Sequence, residues 1–252
     1  MALTDSSTRI RPGEELDAGR IDPYLKAHVA GLVGTPAISQ FPGGASNLTY
    51  LIEYPGKELV LRRPPFGQKA KSAHDMGREF RILNQLSEAF PYCPKAYAHC
   101  TDESLIGSEF YVMERVKGII LRSDLPAELA LGSEQTRALC KGFIDKLVEL
   151  HRVDYNACGL GELGKPQGYV QRQISGWSER YDKALTPDAP HWHTVKDWLH
   201  AKMPADYPTP AIVHNDYRFD HMILAPANPL QLIGVLDWAL PTLGDRRTTL
   251  AN

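Results

Sequence analysis

Ala211-Ile-Val-His-Asn-Asp-Tyr-Arg-Phe-Asp-His221 decides how this chain is read. Its apolar start, Ala211-Ile-Val213, has the composition of a short buried strand. It runs directly into His214, Asp216, Arg218, Asp220 and His221, the densest cluster of titratable groups in the sequence. These groups therefore sit at a strand end and not in a random polar loop. A second apolar strand, Leu232-Ile-Gly-Val-Leu236, delivers Asp237, thirteen residues beyond Leu224. A strand–loop–strand hairpin brings its two ends close together. Asp237 is therefore expected beside the loop that carries Asp216 and His221. Two carboxylates and a neutral donor converging there make a seat for Mg2+, which takes hard oxygen ligands. Each residue alone has a plainer reading. A lone Asp after a strand is usually a cap or turn residue. Asp220 alone caps the next turn, and His221 alone is a packed or solvated histidine. The joint pattern is what points to chemistry.

Working outward, the part before this cluster divides in two. A helix is expected over about Asp22–Leu32, ended by Gly34-Thr-Pro36. Three short strands follow, roughly Ile38–Phe41, Leu48–Tyr54 and Glu58–Arg63, broken by Gly43-Gly44 and Pro55-Gly56. Phe80, Leu83 and Leu86 share one face of a helix over about Ala73–Phe90. Strands near Lys95–His99 and Glu109–Arg115 complete a β-rich half. From Ser133 the pattern turns helical. An amphipathic segment runs to about Val153 with Leu139, Phe143, Leu147 and Leu150 on it, and helices follow near Tyr169–Leu185 and Thr194–Lys202. Strands at Ala211–His214, Met222–Leu224 and Leu232–Leu236 close the chain. The expected class is α+β with two lobes meeting near Val116-Lys-Gly118 and a cleft between them, a favoured place for a ligand. Residues 1–20 read as a loose arm, 21–116 as the first lobe and 117–252 as the second.

Composition narrows the classes. The chain has 252 residues, enough for one large domain or two modest lobes with an apolar core. Hydrophobic residues make up 43% and charged residues 23%, as in an ordinary globular protein. A net charge of −2 gives no basic field for nucleic acid and no acidic tail. Cys93, Cys100, Cys140 and Cys158 are scattered and form no C-x-x-C pair, so neither a zinc knuckle nor a disulfide framework is expected. Reduced thiols in the cytoplasm are the plain reading. The first residues carry no apolar signal segment, and no apolar run reaches the roughly 20 residues that span a bilayer.

The β-rich half offers matching parts. Gly43-Gly-Ala-Ser-Asn47 lies between two strands, where a turn can aim backbone N–H groups at phosphate oxygens. An ordinary hairpin gives the same residues. Arg62 and Arg63 end a strand, and either offers a fixed cation to phosphates; surface arginines are the alternative. Glu79 follows on the next helix, placed to hold that arginine in an ion pair, or simply solvated.

Taken together these parts resemble the aminoglycoside phosphotransferase family, which has the protein-kinase-like fold. They are most similar to its branch fused to some acyl-CoA dehydrogenases. The residues that carry the resemblance are Phe41-Pro-Gly-Gly-Ala-Ser-Asn-Leu-Thr-Tyr50, Leu59-Val-Leu-Arg-Arg-Pro-Pro65, Arg78-Glu-Phe-Arg-Ile-Leu83 and Phe110-Tyr-Val-Met-Glu-Arg-Val-Lys-Gly118. Leu150-His151, Ile212 to His221, Val235-Leu-Asp-Trp238 and Thr242-Leu-Gly-Asp245 continue it. The resemblance implies transfer of the γ-phosphate of ATP, with Mg2+, to a hydroxyl of a small molecule. Gly43, Gly44, Ser46 and Asn47 would cover the nucleotide phosphates. Arg62 would hold the α- and β-phosphates with Glu79 as its helix partner. Met113, Glu114 and Val116 would form the hinge that receives the adenine. Asp216 matches the catalytic Asp that accepts or orients the proton of the attacking hydroxyl, with Arg218 beside it in the catalytic loop. Asp237 matches the metal-chelating Asp.

This chain departs from the family pattern at several places. His221 stands where the family has an Asn metal ligand, and a ring nitrogen suits Mn2+ better than Mg2+. Ala239 stands where relatives carry Glu. Gly244-Asp-Arg-Arg-Thr-Thr-Leu250 replaces a Gly-Asp-Pro-Leu-x-Asp-Leu run, and the chain reads as cut short at its C-terminus. A second reading is therefore a degenerate kinase-like protein that holds nucleotide and catalyses little. A third takes His214, Asp216, Asp220 and His221 as ligands of a metal-dependent hydrolase, with His151, His191, His193 or His200 completing the set. The acceptor is not readable, since a family does not fix its substrate. Oligomeric state is left open, a homodimer included.

Overall fold

Antiparallel pairing of five short strands builds the first half of the chain. The computed structural model describes residues 4–42, 47–65, 75–122 and 125–251. Strands β1 (Ala37–Gln40), β2 (Leu48–Tyr54), β3 (Lys57–Arg63), β4 (Ala96–Cys100) and β5 (Phe110–Glu114) lie in the order β1-β2-β3-β5-β4. Register follows from the β2–β3 hairpin, where Tyr54 pairs with Lys57 across Pro55-Gly56. Gly56 has φ +80°, which a residue with a Cβ adopts only under strain.

Alternation along the strands gives the sheet two faces. Leu59 and Leu61 of β3 and Phe110 and Val112 of β5 pack with Ile21 and Leu25 of helix α1 (Ala18–His28). The intervening residues face helix α2 (Met76–Leu86), which buries Met76, Glu79, Ile82, Leu83 and Leu86. Helix α1 starts four residues before the sequence reading places it, because Asp17 is its N-cap and accepts from Gly19 N at 2.8 Å. Pro23 lies inside the helix.

The segment expected as a loose arm is tied down from Thr4 onward among the described residues. Thr8 N donates to Gln40 O at 2.7 Å, and Gln40 N donates back at 3.0 Å. Tyr50 Oη donates to Glu14 O at 2.8 Å. β1 is an edge strand, and an uncovered edge leaves a row of unpaired backbone groups. The arm satisfies part of that row, a demand that composition does not reveal.

The chain divides into two compact units, Met1–Leu147 with Arg218–Ala239, and Val148–Tyr217 with Leu240–Asn252. Besides the five-stranded sheet, the first holds a small sheet of β6 (Ile119–Ile120), β8 (Met222–Ala225) and β9 (Asn228–Val235) in the order β6-β8-β9. At Gly118 an added Cβ would meet Ile223 Cγ2 at 2.3 Å and Leu224 O at 2.4 Å, so only glycine lets β6 approach β8. Helix α3 (Ser133–His151) begins in this unit.

The second unit holds helices α4 (Tyr169–Ala184) and α5 (His193–Ala201) and a ribbon of β7 (Ala211–Val213) with β10 (Thr242–Gly244). Each of β6 and β10 is too short for a period to announce it. Helices α4 and α5 line an apolar groove of about 930 Å³ that includes Trp177 and Trp192. No helix among the described residues is long and apolar enough to cross a membrane.

His151, at the end of α3, is buried, with Thr249 Oγ1 3.3 Å from its Nε2. Burial, helped by the charge of Arg246, lowers its pKa to about 4. The unfolded chain takes up that proton near the ordinary histidine value, while the fold resists it. Stability should therefore fall as pH drops from about 6.5 to 4, by about 3 kcal/mol at 1.36 kcal/mol per unit. Urea midpoints at pH 7 and pH 4.5 check this: the His151→Gln variant should show a smaller drop than the native chain.

Candidate functional site

Strand alternation separates the two arginines that end β3. Arg63 turns to the α1 face, where its Nη1 donates to Ile106 O at 2.7 Å and its side chain is almost fully buried. Arg62 turns to the α2 face. Neither is a surface arginine, and Arg62 is placed beside Glu79 and Asp237.

Arg62 Nη1 pairs with Glu79 Oε1 and lies 3.4 Å from the Tyr111 hydroxyl. Its Nη2 lies 3.9 Å from Asp237 Oδ1. Glu79 reaches this place because Asp75 caps α2, accepting from Arg78 N at 2.8 Å, and so fixes the first turn. The Glu79 side chain is 2% exposed and that of Arg62 12%. Burial pushes the Glu79 carboxyl up, and the Arg62 guanidinium pulls it back. Burial likewise works against the Arg62 charge, but Glu79, Tyr111 and Asp237 hold its proton more firmly than usual. The Glu79 carboxyl is left raised on balance, while the Arg62 charge is held firmly.

Asp237 follows the β8–β9 hairpin. Met222 pairs with Val235, and Leu236 N donates to His221 O at 2.8 Å, so the hairpin ends stay joined one step beyond the ladder. This brings His221 Nε2 to 3.9 Å from Asp237 Oδ2, as the sequence expects. Asp237 has φ +63°, a left-handed conformation that costs an L-residue roughly 1–2 kcal/mol. Its neighbours hold it there. Trp238 is buried against Phe90, and its Nε1 donates to Val235 O at 2.9 Å. Arg78 Nη1 donates to Ala239 O at 2.9 Å. The Asp237 side chain remains 35% exposed, open enough to take a cation.

Asp216 belongs to the second unit, after β7 and beyond His214 and Asn215. Asn215 before it has φ +63°, and its Nδ2 donates to Leu240 O at 3.0 Å. His214 is fully buried edge-on to Tyr217, so it serves the scaffold of the loop. Arg218 is exposed and forked onto its neighbour Asp220, with both contacts at 3.0 Å. Asp220 is thus held by Arg218. His191 stacks on His193, and His151 lies beside Thr249. Of the hydrolase ligand set, His214 and Asp220 are thus engaged by their neighbours.

Of the expected nucleotide residues, Gly43, Gly44 and Ser46 lie outside the described residues. Asn47 is buried just before β2. Met113 is buried in β5, Glu114 is exposed at its end, and Val116 packs over Gly234. Sequence reasoning gave no role to Tyr111, Trp238 or Arg78. An alternating strand could have placed Tyr111 on the Arg62 face. Nothing could have found Arg78, whose partner is a backbone carbonyl 161 residues away.

Residues 37–251 match the phosphotransferase enzyme family. The chain belongs to this family. It is 34% identical over its whole length to acyl-CoA dehydrogenase family member 11 of Gallus gallus, of which it covers 32%. It is 36% identical over 88% of its length to family member 10 of Mus musculus, covering 21% of that protein. The chain thus spans a third or less of these relatives, which fall in the acyl-CoA dehydrogenase branch expected from the motifs. Among solved structures, a Ralstonia eutropha protein described as a candidate aminoglycoside phosphotransferase has a TM-score of 0.81. It is 34% identical, over 94% of this chain and 68% of its own. The ternary complex of streptomycin, ATP and APH(2")-IIa has a TM-score of 0.64 at 18% identity, over 93% of this chain and 74% of its own, a likeness of fold. The α+β phosphotransferase fold expected from sequence is therefore the fold observed.

Glu79→Gln keeps the shape of the buried pair and removes the main counter-charge of Arg62. Truncating one partner of a buried pair costs about 3–5 kcal/mol. Urea denaturation should show a loss near the lower figure, since Asp237 still faces Arg62; an unchanged midpoint would contradict the pairing.

Proposed function

We propose that this chain is an ATP-dependent phosphotransferase that moves the γ-phosphoryl group to a hydroxyl of a small molecule in the cytoplasm. The observation that carries the reading is the buried Arg62–Glu79 pair with Asp237 beside it, in a chain of the phosphotransferase family. A cation so held cannot swing to solvent, which suits it to one fixed anionic partner. In this reading residues 21–116 supply the nucleotide site. Gly43, Gly44, Ser46 and Asn47 cover the phosphates, and Met113, Glu114 and Val116 receive the adenine. Residues 117–252 supply the catalytic loop.

Phosphoryl transfer asks the protein mainly for positioning and charge neutralisation. The acceptor oxygen forms a bond to the γ-phosphorus as the bond to the β–γ bridging oxygen breaks. Asp216 accepts the hydroxyl proton, ADP leaves, and Arg62 offsets charge on the phosphates. Arg218 is exposed, and its fork onto Asp220 argues for steadying the loop over direct chemistry. A carboxylate and an imidazole 3.9 Å apart, with the carboxylate partly open, fit a divalent cation. His221 and Asp237 would hold it. Bound there, Mg2+ or Mn2+ would neutralise phosphate charge.

Transfer from labelled ATP to a panel of hydroxylated metabolites tests this. Asp216→Ala should lose at least about a hundredfold in rate, the scale of a general base. It should keep ATP-dependent thermal stabilisation. A variant as fast as the native chain would sink the assignment of Asp216.

A second reading, a nucleotide binder of little activity, is favoured by His221 and Ala239, which replace residues that the family uses. His221→Asn separates the two. An active enzyme adapted to its histidine should shift its preference from Mn2+ towards Mg2+ in initial-rate assays. A degenerate site should stay silent with either metal, although ATP still raises its melting temperature.

A further inference from the structure

Helix α2 carries two adjacent residues that act on different parts of the candidate site. Glu79 holds Arg62, and Arg78 reaches the backbone behind Asp237. We propose that Arg78 is a positioning residue that clamps the Asp237 segment to α2, so that one helix sets both the phosphate-binding cation and the metal-binding carboxylate. The proposal rests on the phosphotransferase reading and adds to it how the two charges are kept in register.

Three observations carry it. The first is the left-handed conformation of Asp237, φ +63°, which is uncommon for a residue with a side chain, although Asp adopts it more readily than most. The second is that the fixing contacts lie on both sides. Trp238 bonds back to Val235 O, which ties the turn to β9. Arg78 bonds forward to Ala239 O at 2.9 Å, which ties the same turn to α2. A guanidinium donor to a carbonyl is a charge-assisted bond, stronger than a neutral one. The third is that α2 is itself rigidly seated. Asp75 caps it through Arg78 N, and Met76, Ile82, Leu83 and Leu86 are buried beneath it. Arg78 is therefore fixed at its backbone by the cap and projects its head to the turn.

The consequence is a mechanical link. A displacement of α2 would loosen Arg62 through Glu79 and Asp237 through Arg78 at the same time. Losing Arg78 alone should loosen Asp237 and leave Arg62 paired.

The test is direct titration of the full chain with Mn2+, followed by electron paramagnetic resonance without nucleotide. Arg78→Ala should weaken Mn2+ binding about tenfold, the scale of one charge-assisted bond. Arg78→Lys, which keeps a donor, should recover most of that affinity. In transfer assays extra Mn2+ should restore the rate of Arg78→Ala, with KM for the acceptor unchanged. Arg78→Met retains the buried stem and lacks the donor, so it stands in if the alanine variant does not fold. Native-like Mn2+ affinity in a folded Arg78→Ala or Arg78→Met protein would overturn the clamp alone. Absence of Mn2+ binding by the native chain, with ADP added as well as without, would overturn the metal seat of the phosphotransferase reading, and the clamp with it.

Discussion

The buried ion pair between Arg62 and Glu79 is the constraint on which the rest of the first unit depends. Two charges nearly removed from water cost several kcal/mol each, and their attraction repays this only with good geometry. The fold supplies that geometry with rigid parts. β3 lies inside the sheet, flanked by β2 and β5, so the Arg62 backbone cannot shift. Asp75 fixes the first turn of α2, and four apolar side chains hold the helix down. An apolar pair of similar volume would be as stable or more so. Retaining two charges here makes sense if Arg62 has a further anionic partner, and Asp237 already lies at 3.9 Å.

The Asp237 turn is solved by the same economy of parts. The β8–β9 hairpin fixes where the turn begins, and glycines let the layers close over it. At Gly234 an added Cβ would lie 3.0 Å from Ile223 Cδ1 and 3.2 Å from Val116 Cγ1. With Gly118 under β8, the hairpin is packed from both directions, and a strained residue at its end can be borne. Strain of this kind is affordable only on a well-supported frame.

Much of this was legible in sequence, and the reasons differ by element. β2, β3 and β5 showed themselves as apolar runs bounded by Pro and Gly, and each lies within a residue of its expected limits. The helix over α2 was visible from Phe80, Leu83 and Leu86. The start of α1 differs because Asp17 caps the helix a turn before the expected Asp22. The arm was misread because its order comes from covering the β1 edge, a tertiary demand. The Arg62–Glu79 pairing was readable from spacing and family likeness, and the opposite facing of Arg63 follows from period-two alternation. The bond from Arg78 to Ala239 O was not readable at all, since every residue offers the same carbonyl.

The opening cluster shows how density of titratable groups misleads. His214, Asp216, Arg218, Asp220 and His221 look equivalent in a row. In the fold they divide by what surrounds each. His214 is buried under Tyr217 and serves the loop. Arg218 and Asp220 satisfy one another near the surface, an arrangement worth about 1 kcal/mol or less. That pairing removes Asp220 from any ligand set without adding much stability. Asp216 follows a left-handed Asn215 that is bonded to Leu240 O, so its backbone is fixed by its neighbour. His221 is joined to the Asp237 turn through its own carbonyl. The members of the row therefore differ in what holds each backbone and in what surrounds each side chain. That difference, more than the count of charges, sets His221 beside Asp237.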